Sequence, residues 1–133
     1  ASELHEHNIQ CIDYELKDEE FSRCQYYEII RKLVEQHPEI DGFFSTDTVA
    51  VNAMKYFLEQ GKRIPEDVMI VGYDGIDAAK TTYPSLSYVE QPFDKLSEVI
   101  VDILLKKING ENITENITIE DIRYIEGKST RNC

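Results

Sequence analysis

Val68-Met-Ile-Val71-Gly72 is the clearest candidate for a buried β-strand in this sequence, and Tyr73-Asp74-Gly75 follows it directly. A short apolar run bounded by turn residues is typical of a strand covered on both faces of a sheet. The segment before it, Ile64-Pro-Glu-Asp67, reads as a tight connector. We therefore expect a parallel sheet with Tyr73 and Asp74 at the carboxyl end of one strand.

The flanking segments alternate between helical and strand-like patterns. Three helices are predicted where apolar residues recur every three or four positions, over 22–37, 48–60 and 94–109. Further strands are predicted at the short apolar runs 9–14, 41–45 and 87–89, and in the alternating tail 117–125. This β-α-β-α-β order implies an α/β fold, a parallel sheet with helices on both faces.

The composition excludes several classes of protein. The chain has 133 residues, of which 41% are hydrophobic, so a packed core is expected. No apolar run reaches the roughly 18–20 residues of a membrane helix. With 26 acidic and 14 basic residues the net charge is −12, which argues against nucleic-acid binding by this chain itself.

Cysteine usage and the first residues suggest where the chain comes from. Cys11, Cys24 and Cys133 show no close metal-type spacing, and free thiols fit the reducing cytoplasm. Residues 1–8 begin without Met and read as the tail of a helix. We therefore expect a fragment of a longer, cytoplasmic protein.

Polar and aromatic residues follow the predicted strands, where open parallel sheets bind their ligands. These residues are Asp13-Tyr14, Ser45-Thr46-Asp47 and Tyr73-Asp74. Carboxylates accept hydroxyl protons and aromatic faces stack on rings, so a small polyhydroxylated or heterocyclic ligand is expected. Simpler interpretations stay open: Asp47 as a helix cap, Asp74 as a turn residue, and Tyr14 as part of the core or its rim.

Enzyme motifs are poorly represented. The sequence has no phosphate-binding glycine loop, no nucleophile elbow and no histidine after a predicted strand. Asp47 and Asp74 leave open an acid–base or metal-dependent hydrolase. We nevertheless expect no enzyme activity, no metal and no cofactor.

Longer motifs resemble the LacI/GalR repressors. Ile64-Pro-Glu-Asp-Val-Met-Ile-Val-Gly-Tyr-Asp74 and Tyr83-Pro-Ser-Leu-Ser-Tyr-Val-Glu-Gln91-Pro92 are similar to their V-P-E-D-V-x-V-V-G-F/Y-D and P-x-L-T-T-V-x-Q-P. Gly42-Phe-Phe-Ser-Thr-Asp47-Thr-Val-Ala50 and Tyr124-Ile-Glu-Gly-Lys-Ser129-Thr130 also resemble family patterns. The resemblance covers nearly the whole chain.

The resemblance implies a domain organisation. These repressors join an N-terminal helix-turn-helix to a two-lobed effector domain of the type I periplasmic-binding-protein-like fold. Residues 1–133 are then a fragment of that effector-binding domain, its C-terminal lobe, with 93–110 as a helix that crosses to the N-terminal lobe. The fragment begins just after the family's R-x-x-G-F motif, so the DNA-binding domain and that motif's ligand-binding arginine are absent from this chain.

The resemblance also implies site residues. Tyr14 stands at a ligand-stacking aromatic position, Asp74 at the aspartate that pairs with ligand hydroxyls or ring nitrogens, and Gln91 at a glutamine near the cleft. Thr46 replaces the family's ligand-binding asparagine, which puts the usual sugar pose in doubt. Asp47, next to it, is the weaker ligand candidate.

The implied function is effector sensing by a cytoplasmic, homodimeric transcriptional repressor. A small molecule, expected to be a sugar, controls operator binding through the missing N-terminal domain, and Val51 falls in the family's dimer interface. One alternative is a global catabolite regulator that responds to a phosphorylated carrier protein. Another is a periplasmic sugar-binding protein, although Pro84-Ser-Leu86 and the thiols favour the repressor. The effector, and whether it induces or corepresses, stay open.

Overall fold

The computed structural model describes residues 6–7, 9–15, 17, 25–114 and 116–131. Helices and strands alternate along this part of the chain. In order they are α1 (Tyr26–Gln36), β1 (Gly42–Phe44), α2 (Asp47–Glu59), β2 (Met69–Asp74), α3 (Asp77–Lys80), β3 (Ser87–Glu90), α4 (Phe93–Ile108) and β4 (Arg123–Ile125).

The strands form one sheet in the order β1-β2-β3-β4. β1, β2 and β3 are parallel, with Tyr73 opposite Val89 in the middle pair. β4 runs antiparallel to β3, with Tyr124 opposite Val89. The predicted α/β class is therefore confirmed. The sheet is mostly parallel rather than wholly parallel as predicted, because the tail contributes a short, antiparallel edge strand.

The core lies between the sheet and α2, and α1 packs against α2 and adds Tyr26 and Ile30 to the core. Phe57 of α2 is 1% exposed and meets Phe43 of β1 edge to face, their ring centroids 6.5 Å apart. Ile70 of β2 is completely buried on the same side. The apolar spacing of 48–60 predicted this buried helical face, because residues three and four apart share one side of a helix.

The strand predicted at 9–14 is wrong. Residues 9–15 have irregular backbone, and Ile9 and Tyr14 are 49% and 47% exposed. Apolar alternation alone does not make a strand, because the strand's backbone groups need hydrogen bonds from a neighbour. No described strand pairs with this segment.

The helix boundaries match the predictions to within one or two residues where the structure describes them. α1 ends at Gln36, before Pro38, while the predicted start at 22 lies outside the described residues. α2 begins at Asp47, and Gly61 follows it with a φ of 74°, a left-handed conformation in which glycine carries no steric penalty.

The helix predicted at 94–109 is present as α4, but it has no buried residue. Several of its large apolar side chains are about half exposed or more, among them Ile100 at 52%, Leu104 at 55% and Ile108 at 78%, while Leu96, Val99 and Ile103 are half-buried. The three-and-four spacing of apolar residues correctly predicted this helix, because that spacing places them on one face. The spacing does not indicate what covers that apolar face.

Two further structural properties concern possible environments and ligands. Within the described ranges, no helix has the combination of length and apolarity needed to cross a membrane. Across the same ranges, no three His, Cys, Asp or Glu side chains are grouped closely enough to hold a metal ion.

Candidate functional site

The carboxyl ends of β1, β2 and β3 meet at one edge of the sheet. Because the three strands are parallel neighbours, Thr46 follows the first, Asp74 ends the second and Gln91 follows the third. The topology brings Thr46 and Asp74, two of the strand-end residues predicted to converge, to one edge. Gln91, which the family resemblance implied, lies at the same edge. Each of the three stands in a loop or at an element end that the rigid sheet positions.

Asp74 and Gln91 form a hydrogen-bonded pair. The Gln91 side-chain amide Nε2 donates to Asp74 Oδ1 at 2.6 Å, and the Gln91 backbone amide donates to the Asp74 carbonyl at 3.0 Å. Both residues are half-buried. The pair leaves Asp74 Oδ2 with acceptor capacity, because a carboxylate offers lone pairs on both oxygens.

The backbone at Asp74 adopts an uncommon conformation. Its φ is 127°, and Gly75 follows with a φ of 84°. A non-glycine residue with positive φ carries strain of about 1–3 kcal/mol and persists only where its surroundings hold it there. Gly75 is also sterically required, since a Cβ there would lie 2.7 Å from Glu90 Cγ.

Asp47 does not cap its own helix, so that simpler interpretation is wrong. Thr46 is the N-cap of α2, and no side-chain cap hydrogen bond is present. Asp47 is completely buried, and its Oδ2 accepts the backbone amides of Gly75 at 2.6 Å and Ile76 at 2.8 Å. Helix-capping statistics predicted a local role, whereas the carboxylate binds a loop 28 and 29 residues further along the chain.

Thr46 is exposed beside this edge. Its carbonyl oxygen accepts the backbone amides of Val49 and Ala50 at 3.0 and 2.9 Å, which starts α2. The Ser45 hydroxyl donates to the same carbonyl at 3.1 Å. The Thr46 side chain is thus presented on a fixed backbone, as expected for a position that can contact a ligand.

Aromatic groups also lie near the strand ends. Phe44 is 67% exposed and meets Tyr73 edge to face at 6.2 Å. Tyr14 lies in the irregular segment 9–15, so the strand expected to carry it to this edge is not formed. Its role in ligand stacking stays a prediction.

An ion-pair cluster at Glu90 was not found from the sequence. Arg123 of β4 donates through Nη2 to Glu90 Oε2 at 2.7 Å, and Lys80 Nζ lies 3.8 Å from Glu90 Oε1. The Arg123 and Glu90 side chains are 33 residues apart, so no local pattern could reveal the pairing. The Glu90 carboxylate, beside the Asp74–Gln91 pair, is therefore paired with two cationic side chains.

Val51, the predicted dimer-interface residue, lies on α2. Val51 is half-buried on α2 against the core, and its place in a dimer interface stays a prediction.

An open cavity of 570 Å³ lies beside Pro65 and Ser85, which precede β2 and β3, at the opposite end of the strands. This cavity is therefore separate from the site at Asp74, which lies at the carboxyl edge of the sheet.

This arrangement suits binding better than bond cleavage. Asp74 can accept a hydroxyl proton in a hydrogen bond while Gln91 fixes its orientation. Asp47, the other candidate acid or base, has its carboxylate committed to backbone amides and buried. The two carboxylates therefore do not form the exposed pair that acid–base hydrolysis needs.

Comparisons with known proteins identify the family of the chain. Residues 1–130 match the periplasmic binding protein-like domain family. The chain is 49% identical over 81 residues to the ribose operon repressor of Halalkalibacterium halodurans, covering 60% of this chain and 24% of the repressor. It is 31% identical over 130 residues to the HTH-type transcriptional regulator MalR of Clostridium butyricum, covering 97% of this chain and 38% of that regulator.

One solved structure superposes on almost the full length of this chain. The transcription regulator CcpA of Lactococcus lactis superposes with a TM-score of 0.76 and 25% identity, covering 98% of this chain and 48% of the CcpA chain. The chain thus spans a quarter to two fifths of the curated relatives described above, and about half of that crystallised chain.

Proposed function

Because the chain belongs to the periplasmic binding protein-like domain family, among the LacI-type transcriptional regulators, we propose that it is the C-terminal lobe of a repressor's effector-sensing module. The ligand on this proposal is a small polyhydroxylated molecule, a sugar, bound at the carboxyl edge of the sheet. Operator DNA is bound by a domain outside these residues, since the chain itself carries a net charge of −12.

The hydrogen-bonded pair of Asp74 and Gln91 carries this proposal. A carboxylate held by a side-chain amide at 2.6 Å, on a backbone with a φ of 127°, is a rigid acceptor for a ligand hydroxyl. Rigid polar groups lower the ordering cost of binding and favour one ligand orientation. Thr46 adds an exposed hydroxyl at the same edge.

The mechanism is a shift between two arrangements of the regulator. An effector that binds the closed arrangement more tightly raises its population, and operator affinity changes with it. No bond is made or broken in this scheme, so we propose no catalysis. The relatives described above are named as repressors and transcriptional regulators, which supports a regulator over an enzyme.

The whole regulator is proposed to act as a homodimer in the cytoplasm, where operator DNA is accessible. Val51, on the half-buried side of α2, is the residue of this chain that we place in the dimer interface. Substituting Val51 with Arg is expected to shift the regulator toward monomer in analytical ultracentrifugation.

Asp74→Ala in the regulator that carries this chain tests the site. Operator release is measured with D-ribose, chosen from the similarity to a ribose operon repressor, and with D-glucose and sucrose for comparison. Loss of charge-assisted hydrogen bonds of about 1.5–3 kcal/mol each is expected to raise the half-maximal sugar concentration by at least tenfold. Operator affinity without sugar is expected to stay unchanged.

Asp77→Asn is the matched control. Asp77 is a carboxylate three residues further along, with a fully exposed side chain, so its removal is expected to leave the sugar response intact. An unchanged sugar response in Asp74→Ala contradicts the site assignment. An equal loss in both variants points to a general electrostatic effect instead.

A second candidate effector is favoured by Thr46. The family's asparagine is absent at this exposed position, so the usual sugar contact is missing. A phosphorylated carrier protein is then the corepressor, with small molecules secondary. Tightening of the operator complex by the phosphoprotein, with no response to any of the three sugars, favours this candidate over the sugar-binding one.

A further inference from the structure

We infer that Asp47 is a positioning residue that holds the Asp74–Gln91 pair in place, an inference that rests on the proposed function of that pair. Asp47 is one of the completely buried polar residues in the described part of the chain. Its carboxylate touches neither Asp74 nor Gln91 through any hydrogen bond, so its action on them passes through the backbone.

The contact between Asp47 and the loop is specific. A single carboxylate oxygen, Oδ2, accepts the consecutive amides of Gly75 and Ile76 at 2.6 and 2.8 Å. These are the two peptide groups that directly follow Asp74. A bond from a buried carboxylate to an amide is roughly twice as strong as a neutral one, so both peptide planes are fixed.

The loop needs such a fixture because of its backbone conformation. Asp74 and Gly75 have φ values of 127° and 84°, and the Asp74 carbonyl must also stay within reach of the Gln91 amide, 3.0 Å away. A strained residue relaxes unless its neighbours over-determine it. Asp47 restrains the loop from one side, and Gln91 restrains it from the other.

The space beside Asp47 is also adapted to it. Asp47 Oδ1 has no hydrogen-bond partner among the described atoms and lies against Gly72. A Cβ at Gly72 would overlap Asp47 Oδ1, and it would lie 3.0 Å from Leu86 Cδ2. The glycine two residues before Asp74 therefore makes room for the carboxylate that binds the residues after it.

Amide exchange and ¹H–¹⁵N spectra of the 133-residue chain, without ligand, test this inference. In Asp47→Ala, exchange of the Gly75 and Ile76 amides is expected to accelerate at least tenfold. The side-chain amide signals of Gln91 are expected to move, because Asp74 leaves its present position. A purely structural loss of stability would accelerate exchange throughout the core without moving the Gln91 signals.

Asp67→Ala is the matched control. Asp67 also accepts a backbone amide, that of Arg63 at 2.8 Å, but in the loop that precedes β2. Its removal is expected to affect the Arg63 amide and to leave those of Gly75 and Ile76, and the Gln91 side chain, unchanged.

The conservative variant keeps the inference testable if Asp47→Ala does not fold. Asp47→Asn retains an acceptor oxygen without charge, so the Gly75 and Ile76 amide protons are expected to shift upfield while the Gln91 signals stay near their original positions. Unchanged Gly75 and Ile76 amides in either folded variant would overturn the inference.

Failure of the proposed function is recognised separately. If the spectra change as expected but Asp74→Ala responds normally to the three sugars, Asp47 positions the loop and the site assignment fails. If Asp74→Ala loses its response while the Asp47 spectra stay unchanged, the proposed site stands and the positioning role fails. A double variant adds a further check, because Asp47→Ala should cause no extra loss of sugar response once Asp74 is absent.

Discussion

Replacing Ser129 with Ala is expected to be among the most destabilising small changes in this chain. Ser129 is completely buried, and its hydroxyl donates to the Ile70 carbonyl at 2.5 Å and accepts the Ser87 amide at 2.8 Å. It therefore connects the chain's tail to β2 and β3 at the same time. The substitution removes both bonds and leaves a carbonyl and an amide without partners in the interior.

The size of the effect follows from those two groups. Each of the two buried polar groups left unpaired costs about 1–3 kcal/mol, so the free energy of unfolding should fall by roughly 2–6 kcal/mol. For a domain of this size, about 1 kcal/mol shifts the melting temperature by ~3–5 °C. A decrease on the order of 10 °C is therefore expected in calorimetry, with a matching decrease in the urea midpoint.

Ser85→Ala serves as the control for this prediction. Ser85 is exposed, its hydroxyl accepts the Lys128 amide at 3.1 Å, and the same amide also donates to the Ser85 carbonyl at 2.7 Å. Losing the hydroxyl should cost less than about 1 kcal/mol, because the backbone bond and water remain. If both serine variants unfold within about 0.5 kcal/mol of each other, the reasoning from burial is refuted.

Gly72→Ala should lower the free energy of unfolding by about 1–3 kcal/mol and with it the urea midpoint, because the added methyl group overlaps the Asp47 Oδ1 atom. An unchanged midpoint would show that the Asp47 carboxylate can move aside. Arg63 donates hydrogen bonds to Asp67 and lowers the pKa of that carboxyl, so the stability that Asp67 adds is present above about pH 4 and lost as the pH falls below it. Urea midpoints at pH 3 and pH 7 should therefore differ less in Asp67→Asn than in the unmodified chain. Phe57→Ala should cost about 3–5 kcal/mol in the same assay, whereas Leu104→Ala on the exposed face of α4 should cost less than about 0.5 kcal/mol.

The sequence was sufficient to predict the elements that satisfy their needs locally. Helix α2 is predicted by its apolar residues three and four apart, and Ala53 and Phe57 of that pattern are buried, whereas Leu58 is 43% exposed. Strand β2 is recognisable because it is short, apolar and followed by a turn at Gly75. Asp74 could be proposed as a site residue, since parallel topology brings strand ends together, whereas Gln91 was implied only by the family resemblance.

What could not be predicted depends on partners distant in sequence. Residues 9–14 have the composition of a strand, but a strand exists only when a neighbour accepts its hydrogen bonds. The sequence predicts that the Asp47 carboxylate caps a helix, because it places this residue at a helix start, where aspartate is common. Its actual partners, Gly75 and Ile76, are brought close only by the finished sheet.

The buried polar side chains show how this sheet is fixed without hairpins. In the described part of the chain they are Asp47, Ser87 and Ser129, and each one binds backbone groups of a segment 28 to 59 residues away. Parallel strands joined by helices have no tight turn to set their register, so buried polar contacts with strict geometry can set it instead. Ser129 fixes the entry of β2 at Ile70, and Asp47 fixes the loop at its exit. Because Asp74 is the last residue of that strand, the position of the candidate site depends on groups that are themselves completely buried.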